Sequence, residues 1–340
     1  MKLQDVLISV FAVFSVLLLG AGILLLDRPG DMAEPVLIAE TQQEIVDEAI
    51  QPIPLTIDLD ERKVALGRDL FHDTLLSADG TVSCASCHTL SHGGVDGSQV
   101  STGINGTSGI INAPTVYNSA FNFRQFWDGR ADTLEDQING PLSNPGEMGT
   151  DWKTVLARLN ADTDYRQAFG AIYPDGVTRA NTEDALAVYQ RSLITPNSRF
   201  DRYLRGDHMA ITPEEKEGYR LFRAYGCIAC HQGTNVGGNL YQRFGIMADY
   251  FADRGNITIA DLGRYNTTGR EEDRHVFKVP GLRNVALTAP YFHDGTAENL
   301  HEAVRTMGYY QLGRDLTDED IDLIVQFLHT LTGEHPSLNP

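Results

Sequence analysis

The chain has 340 residues, enough for about two domains of ordinary size. A hydrophobic fraction of 42% is sufficient for a packed core, and 46 acidic against 27 basic residues leave a net charge of −19. That surplus of acid argues against a nucleic-acid partner and favours basic proteins.

The N-terminus, MKLQDVLISVFAVFSVLLLGAGILLLDRPG, holds 21 uncharged residues at 6–26, about 31 Å as a helix and close to one bilayer core. A cleavable signal has a shorter apolar core, about 7 to 15 residues, followed by small residues in an Ala-x-Ala arrangement, and no convincing version follows. Residues 1–26 are expected to be a transmembrane anchor, with a cleaved signal as the alternative. Either way the bulk of the chain is expected to be exported, tethered or soluble. Residues 27–56 mix acids with four prolines and read as a tether with one short helix at 40–50. Beyond it the pattern is helical, with helices predicted at 61–71, 133–138, 152–159, 181–193, 213–225 and 317–331. Thr212, Pro213 and the acids after them form a clear helix start.

All four cysteines fall in two copies of one motif, CASCH at 84–88 and CIACH at 227–231. Cys-x-x-Cys-His is the attachment pattern of c-type haem: Cys84 and Cys87, or Cys227 and Cys230, form thioethers, and His88 or His231 ligates the iron. A four-cysteine zinc ribbon would space its pairs by about 15 to 20 residues, far less than here. A thioredoxin-like pair would need a strand before it and a helix after.

The flanks repeat as well. GRDLF at 67–71 matches GYRLF at 218–222, and FWDGRADTLEDQI from Phe126 matches FHDGTAENLHEAV from Phe292. Each half then reaches a Met-Gly pair, Met148-Gly149 and Met307-Gly308. Thioether ligation opposite His raises the potential of a haem, so each methionine is a candidate ligand. Met148 differs in following a carboxylate, Glu147, as acid/base work on a bound peroxide would need.

Across the exported part the chain resembles the bacterial dihaem cytochrome c peroxidases, with MauG-type enzymes as relatives. NAPTVYN (112–118), FWDGRADTLEDQ (126–137), NPGEM (144–148), LITPNSRFDRYLRGD (193–207), GCIACHQG (226–233), LRNVALTAPYFHDG (282–295) and MGYYQLG (307–313) carry the likeness. The resemblance implies a mainly α fold of two tandem cytochrome c-like domains, each around one covalently bound haem c. A peroxidatic domain would occupy residues 57–205 and an electron-transfer domain residues 206–334. The first haem would reduce hydrogen peroxide. The second, with Met307 as sixth ligand, would take electrons from a small donor, a cytochrome c or a cupredoxin. Trp127 would lie on the electron path, and Glu147 would be the acid/base, supported by Gln137. A calcium ion would be held by Asn112 and by the Thr288 and Pro290 carbonyls. His293, in the column of Trp127, is placed to bond a haem propionate, and a homodimer is common in the family.

One position departs from the family. The loop after CASCH usually carries a histidine that blocks the first haem in the oxidised enzyme until the second haem is reduced. Here that position is Ile104, which cannot ligate iron. The sequence therefore predicts a first haem open without reductive activation. Substitution by His92 or Met148 is an alternative, as is a shift to MauG-like oxidation of a protein or organic substrate, or to electron transfer alone. MauG-like enzymes carry Tyr where Met307 stands.

Overall fold

A computed structural model describes residues 48–338, which are predominantly helical. The helices are α1 (Glu61–His72), α2 (Cys84–Cys87), α3 (Leu134–Ser143), α4 (Trp152–Ala161), α5 (Thr163–Ile172), α6 (Arg179–Ser192), α7 (Arg199–Leu204), α8 (Pro213–Tyr225), α9 (Tyr250–Arg254), α10 (Tyr265–Thr268), α11 (Leu300–Thr306) and α12 (Asp318–His329). A two-stranded antiparallel sheet, β1 (Tyr241–Arg243) with β2 (Val276–Lys278), pairs Tyr241 with Lys278. Side-chain caps set the boundaries. Thr212 and Glu215 close a capping box at the start of α8, and Gly226 ends the helix at φ 97°.

Among the described residues two large apolar cores form, beside a smaller cluster of Tyr250, Phe251 and Phe277. One gathers Leu66, Leu70 and Phe71 of α1 with Ala185 and Tyr189 of α6. The other gathers Tyr219 and Phe222 of α8 with Ile324 and Phe327 of α12. Each pair of helices meets through a glycine. A Cβ on Gly67 would strike the Ala185 carbonyl, and one on Gly218 the Leu323 carbonyl. The ends of the described chain cross over: Ile50 enters the second core and Leu338 the first.

The repeat extends to backbone angles. Asn118 and Asn284 lie at φ 59° and 60°, and Phe126 and Phe292 at φ 70° and 72°. A positive φ is costly for a bulky residue, so its recurrence at matching positions marks one turn built twice. Isolated bridges close both turns, Gln125 with Ala131 and Tyr291 with Ala297.

Some expectations need correction. Helix α5 was not predicted; Asp162 ends α4 and caps α5 at once, so no loop signals the boundary. Helix α3 continues past Ile138 and includes Pro141 near its end. From Glu48 the expected tether is docked: Ile53 is buried, and the Gln51 carbonyl accepts from Arg283. The rest of the helix expected at 40–50 lies outside the described residues, and 48–50 are not helical. The membrane anchor is also corrected. Among the described residues no helix is long and apolar enough to cross a membrane, and residues 1–26 lie outside them. The transmembrane helix, the membrane as partner and tethering to the inner membrane thus find no support among the described residues.

Candidate functional site

Helix α2 is a single turn whose start is fixed by a reciprocal bond between Ser83 and Ser86. That turn carries Cys84 and Cys87 and delivers His88 at its end. The His88 Nδ1–H donates to the Gly94 carbonyl at 3.2 Å, which leaves Nε2 free for a ligand bond. Burial lowers the His88 pKa and favours the neutral imidazole that iron requires. All four thiols are free. Burial pushes Cys84 up to about 12 and Cys227 up to about 11, the reverse of the lowered pKa of a redox dithiol.

At the second motif Cys227–Ala229 form a short 3-10 turn. His231 is half-buried; burial pushes its pKa down to about 4, opposed by the Val236 and Pro280 carbonyls that face its ring. Cys227, Cys230, His231 and Met307 all line one cavity of about 260 Å³. Met307 opens a π-helical turn, Met307–Gln311, a distortion frequent at functional sites. Two thiols, a neutral imidazole and a thioether around one cavity fit a covalently attached haem. Met148 does not match Met307: it is packed in the first core, and its carbonyl accepts from the Ala78 amide.

Around the first motif the predicted acid is close at hand. Glu147 is half-buried, and its charge adds to the burial that raises the Cys87 pKa. Burial pushes Glu147 itself up, opposed by a bond from Asn144 Nδ2 to Oε1 at 2.6 Å and by the charge of Arg130. Gln137 lies on α3, half-buried, and makes no side-chain hydrogen bond to Glu147. The loop with Ile104 folds into a hairpin closed by Gly103 N–H to Thr107 O and Gly109 N–H to Ser101 O, both 2.8 Å. Ile104 is buried, touches Gly149 and donates its N–H to the Glu147 carbonyl at 2.9 Å. His92 is exposed.

Trp127, Asn112, Thr288 and Pro290 line the same cavity as His231. Trp127 Nε1–H donates to the Asn112 carbonyl at 2.9 Å, and the Asn112 amide donates to the His293 carbonyl at 2.8 Å. Asn112 Nδ2 is spent on the Ser98 and Gln99 carbonyls, which leaves Oδ1 as an available oxygen. The cavity also reaches Pro114, whose carbonyl faces the His88 imidazole.

One cluster was missed from sequence. His293 Nε2 bonds Asp261 Oδ1 at 2.7 Å, and Arg254 pairs with both Asp261 and Asp294. Burial alone would raise Asp261, but bonds from Arg254, Thr258 and His293 outweigh it and hold the carboxyl below the usual range. The ligand atoms of Asp261, His293 and Asp294 lie within 4.8 Å of one another, yet Arg254 already neutralises the group. No motif joins these residues, since Arg254 and Asp261 flank a loop with no family-like spacing.

The comparisons agree with this geometry. The profile of the family described as di-haem cytochrome c peroxidase matches residues 61–209. The chain is 50% identical over 295 residues to the cytochrome c peroxidase of Escherichia coli (strain K12), covering 86% of this chain and 63% of that protein. It is 44% identical to the cytochrome c551 peroxidase of Nitrosomonas europaea, covering 85% of each. Among solved structures, a MauG-like protein associated with microbial copper homeostasis superposes at a TM-score of 0.74 with 30% identity, over 87% of this chain and 98% of that one. With both attachment motifs and these relatives, the chain belongs to the dihaem cytochrome c peroxidase family.

Proposed function

We propose that the chain reduces hydrogen peroxide to water with electrons from a small redox protein, using a peroxidatic unit at 57–205 and an electron-transfer unit at 206–334. The matched helix pairs α1/α6 and α8/α12, each with its own core, support a tandem pair of cytochrome c-like units. Bound haem supplies a redox-active iron in each unit. Cys84, Cys87 and His88 would hold the first, and Cys227, Cys230, His231 and Met307 the second. Glu147 would move a proton from one peroxide oxygen to the other, so that the second leaves as water, with Gln137 as the supporting residue. Trp127 is the residue assigned to carry electrons between the units. Oδ1 of Asn112 and the carbonyls of Thr288 and Pro290 make a set of oxygen donors suited to calcium.

The observation that carries this reading is the asymmetry of the two sites. Met307 shares a cavity with His231, whereas near Cys87 the 101–109 hairpin offers Ile104, and the loop after α3 a half-buried Glu147. No side chain of residues 101–109 can ligate iron, and His92 is exposed. The first haem is thus read as open in the fully oxidised protein, without reductive activation. Steady-state peroxide turnover with reduced cytochrome c tests the activity, and its absence from the two-haem protein removes the proposal.

A second reading, MauG-like oxidation of a protein or organic substrate, is favoured by the likeness to the solved MauG-like protein. Met307, where MauG-like enzymes carry Tyr, weighs against it. Product analysis after peroxide addition without an electron donor separates the two: oxidation of an added protein substrate would establish the second.

A further inference from the structure

Lys278 is a buried charge that the assigned roles leave unexplained. It ends β2, its amide donates to the Trp127 carbonyl at 2.8 Å, and the residue is only 7% exposed. Its ammonium makes no ion pair and no hydrogen bond with any described residue. Lys278 lines the cavity shared by Cys230, His231 and Met307. Desolvation alone acts on the ammonium, with no carboxylate close enough to offset it, and buried acids such as Asp261 and Asp201 are already paired with Arg254 and Arg283. An unpaired buried ammonium costs several kcal/mol, so the position calls for an anion inside the cavity. Haem carries two propionate carboxylates, and it is the group the cavity ligands fit.

We propose that Lys278 pairs with a propionate of the haem held by Cys227, Cys230 and His231, and that this pairing favours the reduced state of that haem. Burial lowers the Lys278 pKa to about 8, so near pH 7 the amine remains mostly protonated. A fixed positive charge near the iron stabilises the added electron, in the same direction as thioether ligation by Met307. Lys278 is a positioning residue here; it touches the cofactor's carboxylate and takes no part in proton transfer to peroxide. The inference rests on a haem at His231, and its test separates the two.

The test compares haem-loaded wild type with Lys278→Met and Lys278→Arg by haem content and by spectroelectrochemical titration. Lys278→Met should keep two haems and lower the reduction equilibrium of the second haem at least tenfold, about 59 mV for a one-electron couple. Lys278→Arg should recover most of it. An unchanged equilibrium in Lys278→Met, or an equal loss in Lys278→Arg, would overturn the pairing. If Lys278→Met does not load haem, a crystal structure of the loaded wild type decides. Nζ within about 3.2 Å of a propionate oxygen upholds the pairing, and Nζ bonded elsewhere overturns it. A protein without haem at His231 would instead remove the underlying site assignment.

Discussion

The two halves share a backbone and differ in what stands beyond it. Helices α1 and α8 approach their partners through Gly67 and Gly218, and the turns at Phe126 and Phe292 repeat the same positive φ. After the matching helices the halves diverge. The second sends Met307 into the cavity of His231, while the first buries Met148 in its core and brings Glu147 near Cys87. On the proposed reading one scaffold serves two chemistries: a site closed by a thioether, suited to holding an electron, and a site with an acid and no ligand, suited to binding peroxide.

The strongest way to break the comparison is to remove one haem. Replacing Cys84 and Cys87 together by Ser should halve the haem content and abolish peroxide turnover while the second haem keeps its methionine-ligated spectrum. Next comes Glu147→Gln, expected to lower turnover by about 10²- to 10⁴-fold; unchanged activity would take the proton role away. The sign of the pH effect follows from burial. Glu147 must be ionised to accept the peroxide proton and its pKa is raised above the ordinary 4.5. Turnover should therefore fall as pH drops through a limb lying above that value, and the limb should vanish in the Gln variant.

Smaller effects sharpen the contrast between the methionines. Met307→His should lower the potential of the second haem with haem content intact, whereas Met148→Leu should leave both potentials in place and cost less than about 1.5 kcal/mol. A potential that ignores Met307→His would show that Met307 is not a ligand. Last, Gly67→Ala and Gly218→Ala should each destabilise by about 1–3 kcal/mol, read from denaturant midpoints. If only one does, the helix pairs are not equivalent.

Much of this was legible because it is local. The Cys-x-x-Cys-His spacing, the capped helices and the column-by-column repeat all lie within short windows. Residues joined only by the fold were not. Nothing in the residues around Lys278 marks it as a buried charge. The Asp261 partner of His293 Nε2, from a loop about thirty residues upstream, left no mark in the sequence. The docking of Ile50 and Leu338 in opposite cores likewise depends on contacts across most of the chain. The reading of Ile104 needed a family comparison, since a missing ligand leaves no mark of its own.

The central claim is that the first site stands open because Ile104 cannot ligate iron. Its most direct test is EPR of the fully ferric protein paired with the onset of peroxide turnover, with and without prior one-electron reduction. The account predicts a high-spin signal from the first haem and immediate turnover in both cases. A low-spin first haem, or a lag that pre-reduction removes, would contradict it.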